Sequence, residues 1–392
     1  MKNFTLTLLA CLMLGALTPL FAQDVTITNA RIIVANGTVI ERGSIVVRAG
    51  KIVSVVAGTP AGMNGTLIDA KGMTAMPGFI DAHRHINTGA NEKAQMQAQL
   101  EAGYTTILSG GGPAEGNITL RDHIEKGQIN GPRIIPSGSI RLANNTAENA
   151  RAEIRKMAEM GIKFTGEISL TPIPGPSEKE LEVLRAVVDE AKKAGIFVQV
   201  HAVSTPAMIA AIDAGVKLLV HLPNKDFMSK DDAKKLAASG ARILGTVGFG
   251  TPVFGVFADD NNARFRDGRP WPDSIVDGVR LGEEAGIMPV NARTAWDAGA
   301  VLGYCTDTTY DPLAGLDHEL KTINPMFSMK DIIKMMGPNT AAYIQMGDQL
   351  GTLEPGKLAD IILLDGNPLE GYWNMLKTKV VLKGGMLVVD KR

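Results

Sequence analysis

The chain has 392 residues, enough for two to four domains or for one large barrel with an attachment. Hydrophobic residues make up 45% and charged residues 21%, which excludes a disordered, collagenous or low-complexity protein. Forty Lys and Arg stand against 41 Asp and Glu, a net charge of -1, so no basic field marks nucleic acid or an anionic membrane as the main partner, and a small-molecule substrate is expected.

At the N-terminus, Lys2 precedes an apolar run from Phe4 to Phe21 that ends in Ala22-Gln23. This pattern reads as a secretory signal over residues 1–22, with cleavage after Ala22 and a periplasmic or secreted mature chain. Leu20 is larger than the usual residue three before the cut. A membrane anchor is disfavoured because the run is near the lower length limit for spanning and Pro19 interrupts it. Cys11 and Cys305 are the two cysteines. Removal of Cys11 leaves no internal disulfide, so the mature protein depends on its core or on a metal.

From Val25 to Val56, apolar and polar residues alternate in VTITNARIIV, GSIVVRAG and KIVSVV, separated by Gly-containing turns. Such runs predict antiparallel strands. The texture returns only in LADIILLDGN and KVVLKGGMLVVD, so residues 23–74 and 347–392 are expected to combine into one small β domain. Between them, over residues 75–346, short apolar runs alternate with helical patterns. Strands are expected at 75–83, 105–109, 133–137, 162–168, 196–201, 217–221, 242–247 and 300–306. Helix starts are marked by Ser177 with Glu180, by Thr205 before Pro206, and by Ser229 with Asp232. Leu181, Leu184, Val188 and Ala191 form an apolar helix face, and Gly195 stops that helix. Eight such units in about 270 residues predict an α/β fold, a (β/α)8 TIM-like barrel, with an open doubly wound sheet as the alternative. No GxGxxG follows an opening strand and no GxxxxGK[ST] occurs, so nucleotide binding has no support.

Chemistry concentrates at the strand ends. In Met76-Pro77-Gly78-Phe79-Ile80-Asp81-Ala82-His83-Arg84-His85, residues two apart in a strand face one side, so His83 and His85 can reach one metal ion while Arg84 points away. His201 closes IFVQVHA and His221 closes VKLLVHL, again at the C-terminal ends of apolar strands, where barrel active sites are built. Asp307, after Gly303-Tyr304-Cys305-Thr306, adds an acid to the same rim. His123 and His318 fit no strand end, although His318 is near enough to Asp307 in sequence to approach the site.

These motifs resemble the amidohydrolase superfamily, and within it the imidazolonepropionase-like branch that includes metal-dependent prolidases. The resemblance rests on PGFIDAHRH, VQVHA, VHL, CTD and the ending GTLEPGKLADIILLDGNPL, and covers nearly the whole mature chain. It implies a composite β-sandwich built from both termini and two divalent metal ions, usually zinc, with His83, His85 and Asp307 on one and His201 and His221 on the other. Relatives usually carry a carboxylated lysine that bridges the two metals at the end of the fourth strand. Here the segment reads Gly161-Ile162-Lys163-Phe164-Thr165-Gly166-Glu167-Ile168. Lys163 would lie roughly 13 Å back along the strand from Glu167, too deep to share the rim. Glu167 is therefore expected to bridge, its two oxygens replacing those of the carbamate.

The chemistry so implied is hydrolysis of a C–N bond in a small cyclic amide or dipeptide-like substrate by metal-activated hydroxide, with Asp307 as the proton shuttle. A lactonase or esterase on the same site is one alternative. A non-catalytic metal-binding protein is another, and it would be expected to lose Asp307 or a strand histidine. The long segment 249–296, with Arg264, Arg266, Arg269, Trp271, Arg293 and Trp296, is expected to be an insertion on the active-site face. An arginine there is a candidate for binding a substrate carboxylate. Ser109-Gly110-Gly111-Gly112-Pro113 offers backbone N–H groups near the rim. Met335 and Met336, at helical spacing with Ile332, read as core.

Overall fold

Period-two alternation at both ends of the chain resolves into one sheet. A computed structural model describes residues 24–63, 65–86, 89–248, 284–309 and 311–392, so the expected signal segment and much of the expected 249–296 insertion lie outside the described residues. Strands β1 (Val25–Ile33), β2 (Val39–Arg48) and β3 (Lys51–Ala57) pair antiparallel, and β1 also runs parallel to β4 (Thr66–Asp69) and β5 (Thr74–Pro77). From the other end of the chain, β15 (Ile361–Leu364) pairs with β5, followed outward by β16 (Thr378–Lys383) and β17 (Met386–Asp390). Their inward residues, among them Ile27, Ile45, Ile52, Ile361 and Leu382, form a separate apolar core.

The expected strand 75–83 is two strands, because Gly78 breaks it. Residues before Gly78 belong to β5 in the terminal sheet, and those after it form β6 (Phe79–Arg84) in a parallel set. A Cβ on Gly78 would lie 2.4 Å from Thr105, so only glycine lets the chain cross from one sheet to the other here. The parallel set continues through β7 (Tyr104–Ser109) and β8 (Arg133–Ile135). Past Pro136 come β9 (Ser137–Gly138), β10 (Phe164–Ser169), β11 (Phe197–His201), β12 (Leu218–Val220), β13 (Arg242–Gly245) and β14 (Val301–Tyr304), hydrogen-bonded in sequence order. All eight expected positions hold parallel strand, most of them shorter than the apolar run. The first and last strands of the set approach one another: the Asp307 N–H, just past β14, donates to the His83 carbonyl of β6 at 2.9 Å, and Tyr304 of β14 also reaches Tyr104 of β7, their hydroxyls 2.7 Å apart.

Helices alternate with these strands: α1 (Glu92–Ala102), α2 (Ala114–Glu125), α3 (Ala147–Glu159), α4 (Glu178–Ala194), α5 (Thr205–Asp213), α6 (Lys230–Ser239), α7 (Glu284–Asp297) and α8 (Pro312–Ile323). Ser177 and Glu180 form a capping box on α4, which ends at Gly195 in the left-handed conformation. Ser229 caps α6. The cap of α5 is Ser204, not Thr205, because Ser204 accepts the Ala207 N–H while Thr205 is already helical. The buried face of α4 centres on Val183, Leu184, Val187 and Ala191, with Leu181 and Val188 at its edges. Ile332, Met335 and Met336 are buried in the core as expected, and Cys305 is a buried free thiol.

Candidate metal centre

Each strand delivers its last residues to one rim. In register, Ser169 lies opposite His201, and His201 opposite Val220, so Glu167 on β10, His201 at the end of β11 and His221 just past β12 meet. Glu167 Oε2 is 2.7 Å from His201 Nδ1 and 3.0 Å from His221 Nε2, while its Oε1 faces His85 Nε2 at 3.8 Å. Alternation along β6 brings His83 and His85 to the same side, their Nε2 atoms 3.4 and 3.0 Å from Asp307 Oδ1. Asp307 lies three residues beyond the end of β14, not on it, and turns back through a positive φ of 51°. His221 has φ 67°. Both side chains reach the cluster from strained backbone, a cost that persists where the surroundings over-determine the position.

Three groupings of ligand atoms lie within 4.8 Å of one another: His83, His85 and Glu167; His83, His221 and Asp307; and Glu167, His201 and His221. Glu167 belongs to the first and the third, with Oε1 toward His85 and Oε2 toward His201 and His221 and 3.7 Å from His83 Nε2. Asp307 groups with His83 and His221, so it stands nearer the middle of the cluster than the resemblance implied. Lys163 precedes β10 and is exposed, and its carbonyl accepts the Phe197 N–H at the far end of the strand, as expected of a residue too deep to share the rim.

The donor set fits a divalent cation. His83 is fully buried, yet neither ring nitrogen has a hydrogen-bond partner of good geometry, a costly state for an imidazole unless a cation takes its lone pair. Four imidazoles with two carboxylates are the N and O ligands that zinc and similar ions take. Burial opposes ionisation of Glu167, but hydrogen bonds from His201 and His221 outweigh it and hold the carboxyl far below the usual range. For Asp307, burial is likewise outweighed by the His83 and His85 imidazoles beside its carboxyl, so it too is a carboxylate. Burial lowers His221, keeping it neutral and fit to ligate. Its Nδ1 meets Thr246 Oγ1 at 2.7 Å, a contact that orients the ring.

Below the rim lies a buried polar network that the sequence reading did not assign. Arg84, 2% exposed, donates from Nη1 to Thr306 Oγ1 at 3.1 Å and stands 3.7 Å from Asp81 Oδ2. With its amide carbonyl turned toward Arg84, Gln99 accepts from Nε at 2.7 Å and Nη2 at 3.2 Å. Asp81 in turn accepts from the Thr306 hydroxyl and the backbone N–H groups of Thr306 and His83. The network ties the end of β6 to the segment carrying Asp307. Its signal in the sequence was a charged residue between two histidines on a buried strand, which must find a partner on the opposite face.

The remaining candidates separate. His123, on α2, pairs with Glu92 of α1 at 2.6 Å, and His318 is half-buried on α8, outside the three groupings. Arg293, expected on an active-site insertion, is buried in α7, where it donates to the Met326 carbonyl, pairs with Asp297 and stacks over Phe327. Trp296 packs on the same Phe327. Both are structural, because α7 buries this face against the core. Arg264, Arg266, Arg269 and Trp271 lie outside the described residues. Of the glycine run, Gly110 abuts the site: a Cβ there would lie 2.9 Å from the His83 ring, and its carbonyl accepts the Glu167 N–H at 3.4 Å.

Residues 74–388 match the model of the amidohydrolase family. The chain belongs to that family, and is a metal-dependent hydrolase acting on C–N bonds. Its similarity to imidazolonepropionase of Alkaliphilus metalliredigens is 23% identity over 90% of this chain and 91% of that one. To enamidase of Eubacterium barkeri it is 25% over 84% and 81%, which places the chain in the imidazolonepropionase-like branch. Among solved structures, a putative prolidase from Bifidobacterium longum superposes with TM-score 0.76 at 24% identity, covering 95% of this chain and 97% of that one. A Xaa-Pro dipeptidase with bound methionine gives 0.75 at 22%, covering 93% and 99%.

Proposed function

We propose that this protein hydrolyses the amide bond of a small cyclic amide or a dipeptide-like molecule at a centre of two divalent cations, zinc in the first instance. Glu167, His83, His85, His201, His221 and Asp307 would hold the two ions, with Glu167 as the ligand that could be shared. The observation that carries this reading is the placement of Glu167, one oxygen toward His85 and the other toward His201 and His221, with Asp307 beside His83 and His85. The names of the relatives, imidazolonepropionase, enamidase and Xaa-Pro dipeptidase, support the two substrate classes.

Divalent ions, when bound, supply Lewis acidity that makes water nucleophilic near neutral pH and polarises a carbonyl oxygen. The chain's own part is proton management. Asp307, ionised beside His83 and His85, accepts the proton of the attacking water and returns it to the departing nitrogen. An amine anion leaves poorly, so this return matters more for an amide than for an ester.

The architecture we infer around this chemistry is a (β/α)8 barrel over residues 75–346, closed between β14 and β6, beside a β-sandwich built from residues 23–74 and 347–392. Residues 1–22 are the export signal of a periplasmic or secreted enzyme. The direct test is a panel of dipeptides, N-acyl amino acids, hydantoins, lactams and lactones offered to zinc-reconstituted protein. Cleavage of at least one amide class with turnover lost on chelation supports the reading, and turnover confined to lactones replaces it with an esterase.

A further inference from the structure

A cavity of about 380 Å³ opens beside the cluster, lined by His85 and Glu167 and by Ser139, Arg141 and Ser169. Arg141 is held there by the loop that follows β9. Its neighbours Ile140 and Leu142 are buried in the main core, 3% and 5% exposed, so the residue between them is turned outward. The side chain of the buried Asn145 donates to the Arg141 carbonyl at 2.9 Å and accepts the Thr146 N–H at 2.8 Å, closing the loop, while Ser139 Oγ donates to the carbonyl of Gly112, which also lines the cavity. The guanidinium has no ion pair or hydrogen bond among the described residues. Every other acid and imidazole on this cavity's wall is engaged in the cluster.

Building on the amide-hydrolase reading, we propose that Arg141 receives a carboxylate of the substrate and so restricts the enzyme to amides that carry one. A planar guanidinium matches a carboxylate bidentately. One arginine, in a cavity that Glu167 also lines, suits a singly charged anion and not a phosphate. The arrangement also solves a chemical problem: a free carboxylate is itself a good metal ligand, and an anionic substrate without a fixed counter-charge would bind the cations by the wrong group. Arg141 holds that group away from the centre and leaves the amide carbonyl over it.

The test uses the zinc-loaded full-length enzyme and matched pairs of dipeptides and N-acyl amino acids, each as free acid and as carboxamide. Wild type should favour the acids by about 10- to 100-fold in kcat/KM, and Arg141→Met should compress that ratio toward one, chiefly through KM. Arg141→Lys should recover part of it, since charge remains but the fork is lost. Arg185→Met, on the exposed face of α4, should leave the ratio as it is. Equal use of acid and carboxamide by wild type, or an unchanged ratio in Arg141→Met, overturns the proposal. A second arm needs no turnover: calorimetry with reduced-amide dipeptide analogues, in which CH2–NH replaces CO–NH, should show the same preference for the acid and its loss in Arg141→Met. Acid-selective binding without cleavage of any panel member would sink amide hydrolysis and keep the carboxylate site, whereas binding without selectivity, or none at all, sinks the site.

Discussion

The terminal sheet and the rim of the parallel strands are built from similar apolar runs but spend backbone strain differently. In the terminal sheet, the non-glycine residues with positive φ are Asn29 at a bulge within β1, Ala35 in the bend before β2, and Ala49 and Lys71 in exposed turns, none of them near the histidine cluster. At the rim they include His221 and Asp307, which are buried or nearly so and aimed at one point. The interior of the terminal sheet is aliphatic, whereas beneath the rim lie Asp81, Arg84 and Glu319. Buried ionisable groups therefore collect beneath the place where the cluster is assembled, with two of the cluster's own residues on strained backbone, whereas the core of the sheet made from the two termini is aliphatic.

The largest effect expected from breaking this contrast is at Arg84. Arg84→Met leaves Asp81 buried without its cation and should destabilise the fold by about 3–5 kcal/mol in urea melts. Arg31→Ala, which removes the exposed pair with Glu41 in the terminal sheet, should cost less than about 1 kcal/mol. Similar costs at both positions would erase the distinction between the regions.

Next comes Asp307→Asn, which keeps the size and one ligand oxygen but removes the basic carboxylate. Turnover of an amide should fall by about 10²-fold or more while most of the metal stays bound, and an activated ester should lose less. Equal losses on both would remove the leaving-group half of the role, and wild-type turnover would remove all of it.

A smaller effect is expected at Glu319 on α8, whose carboxylate accepts the N–H groups of Val247 and Gly248 just past β13. Burial outweighs those two bonds and pushes its pKa from 4.5 up to about 8. Below the unfolded value both states hold the proton; between the two values only the folded state does. Glu319 thus contributes stability at low pH that is lost as pH rises toward about 8. The urea midpoint of wild type should fall across this window more steeply than that of Glu319→Gln, and parallel profiles would refute the assignment. Smallest is Lys71→Gly, which relieves φ 49° at an exposed turn and should stabilise by no more than about 1 kcal/mol without touching activity.

Much of the site was legible because hydrophobic runs end where parallel strands end, so His83, His85, His201 and His221 could be placed on one rim from the sequence, and Glu167 by its distance from Lys163. The break at Gly78 was not legible, since β5 and β6 are both apolar and no turn residue beyond Pro77-Gly78 separates them. Nor was the Asp81 to Thr306 contact, which spans 225 residues. Arg293 read as a charge on an active-site insertion because nothing local reveals that α7 packs inward. Arg141 stands out only once Ile140 and Leu142 are seen to be buried on either side of it.

Metal content tests the central claim most directly. After zinc loading and removal of free ion, elemental analysis of wild type should give about two metals per chain, as expected of two N/O sites joined by one carboxylate. Glu167→Gln should lower that figure sharply, Lys163→Ala should match wild type, and added bicarbonate should change nothing. No bound metal in wild type, or occupancy that depends on bicarbonate and is lost in Lys163→Ala, would contradict the account.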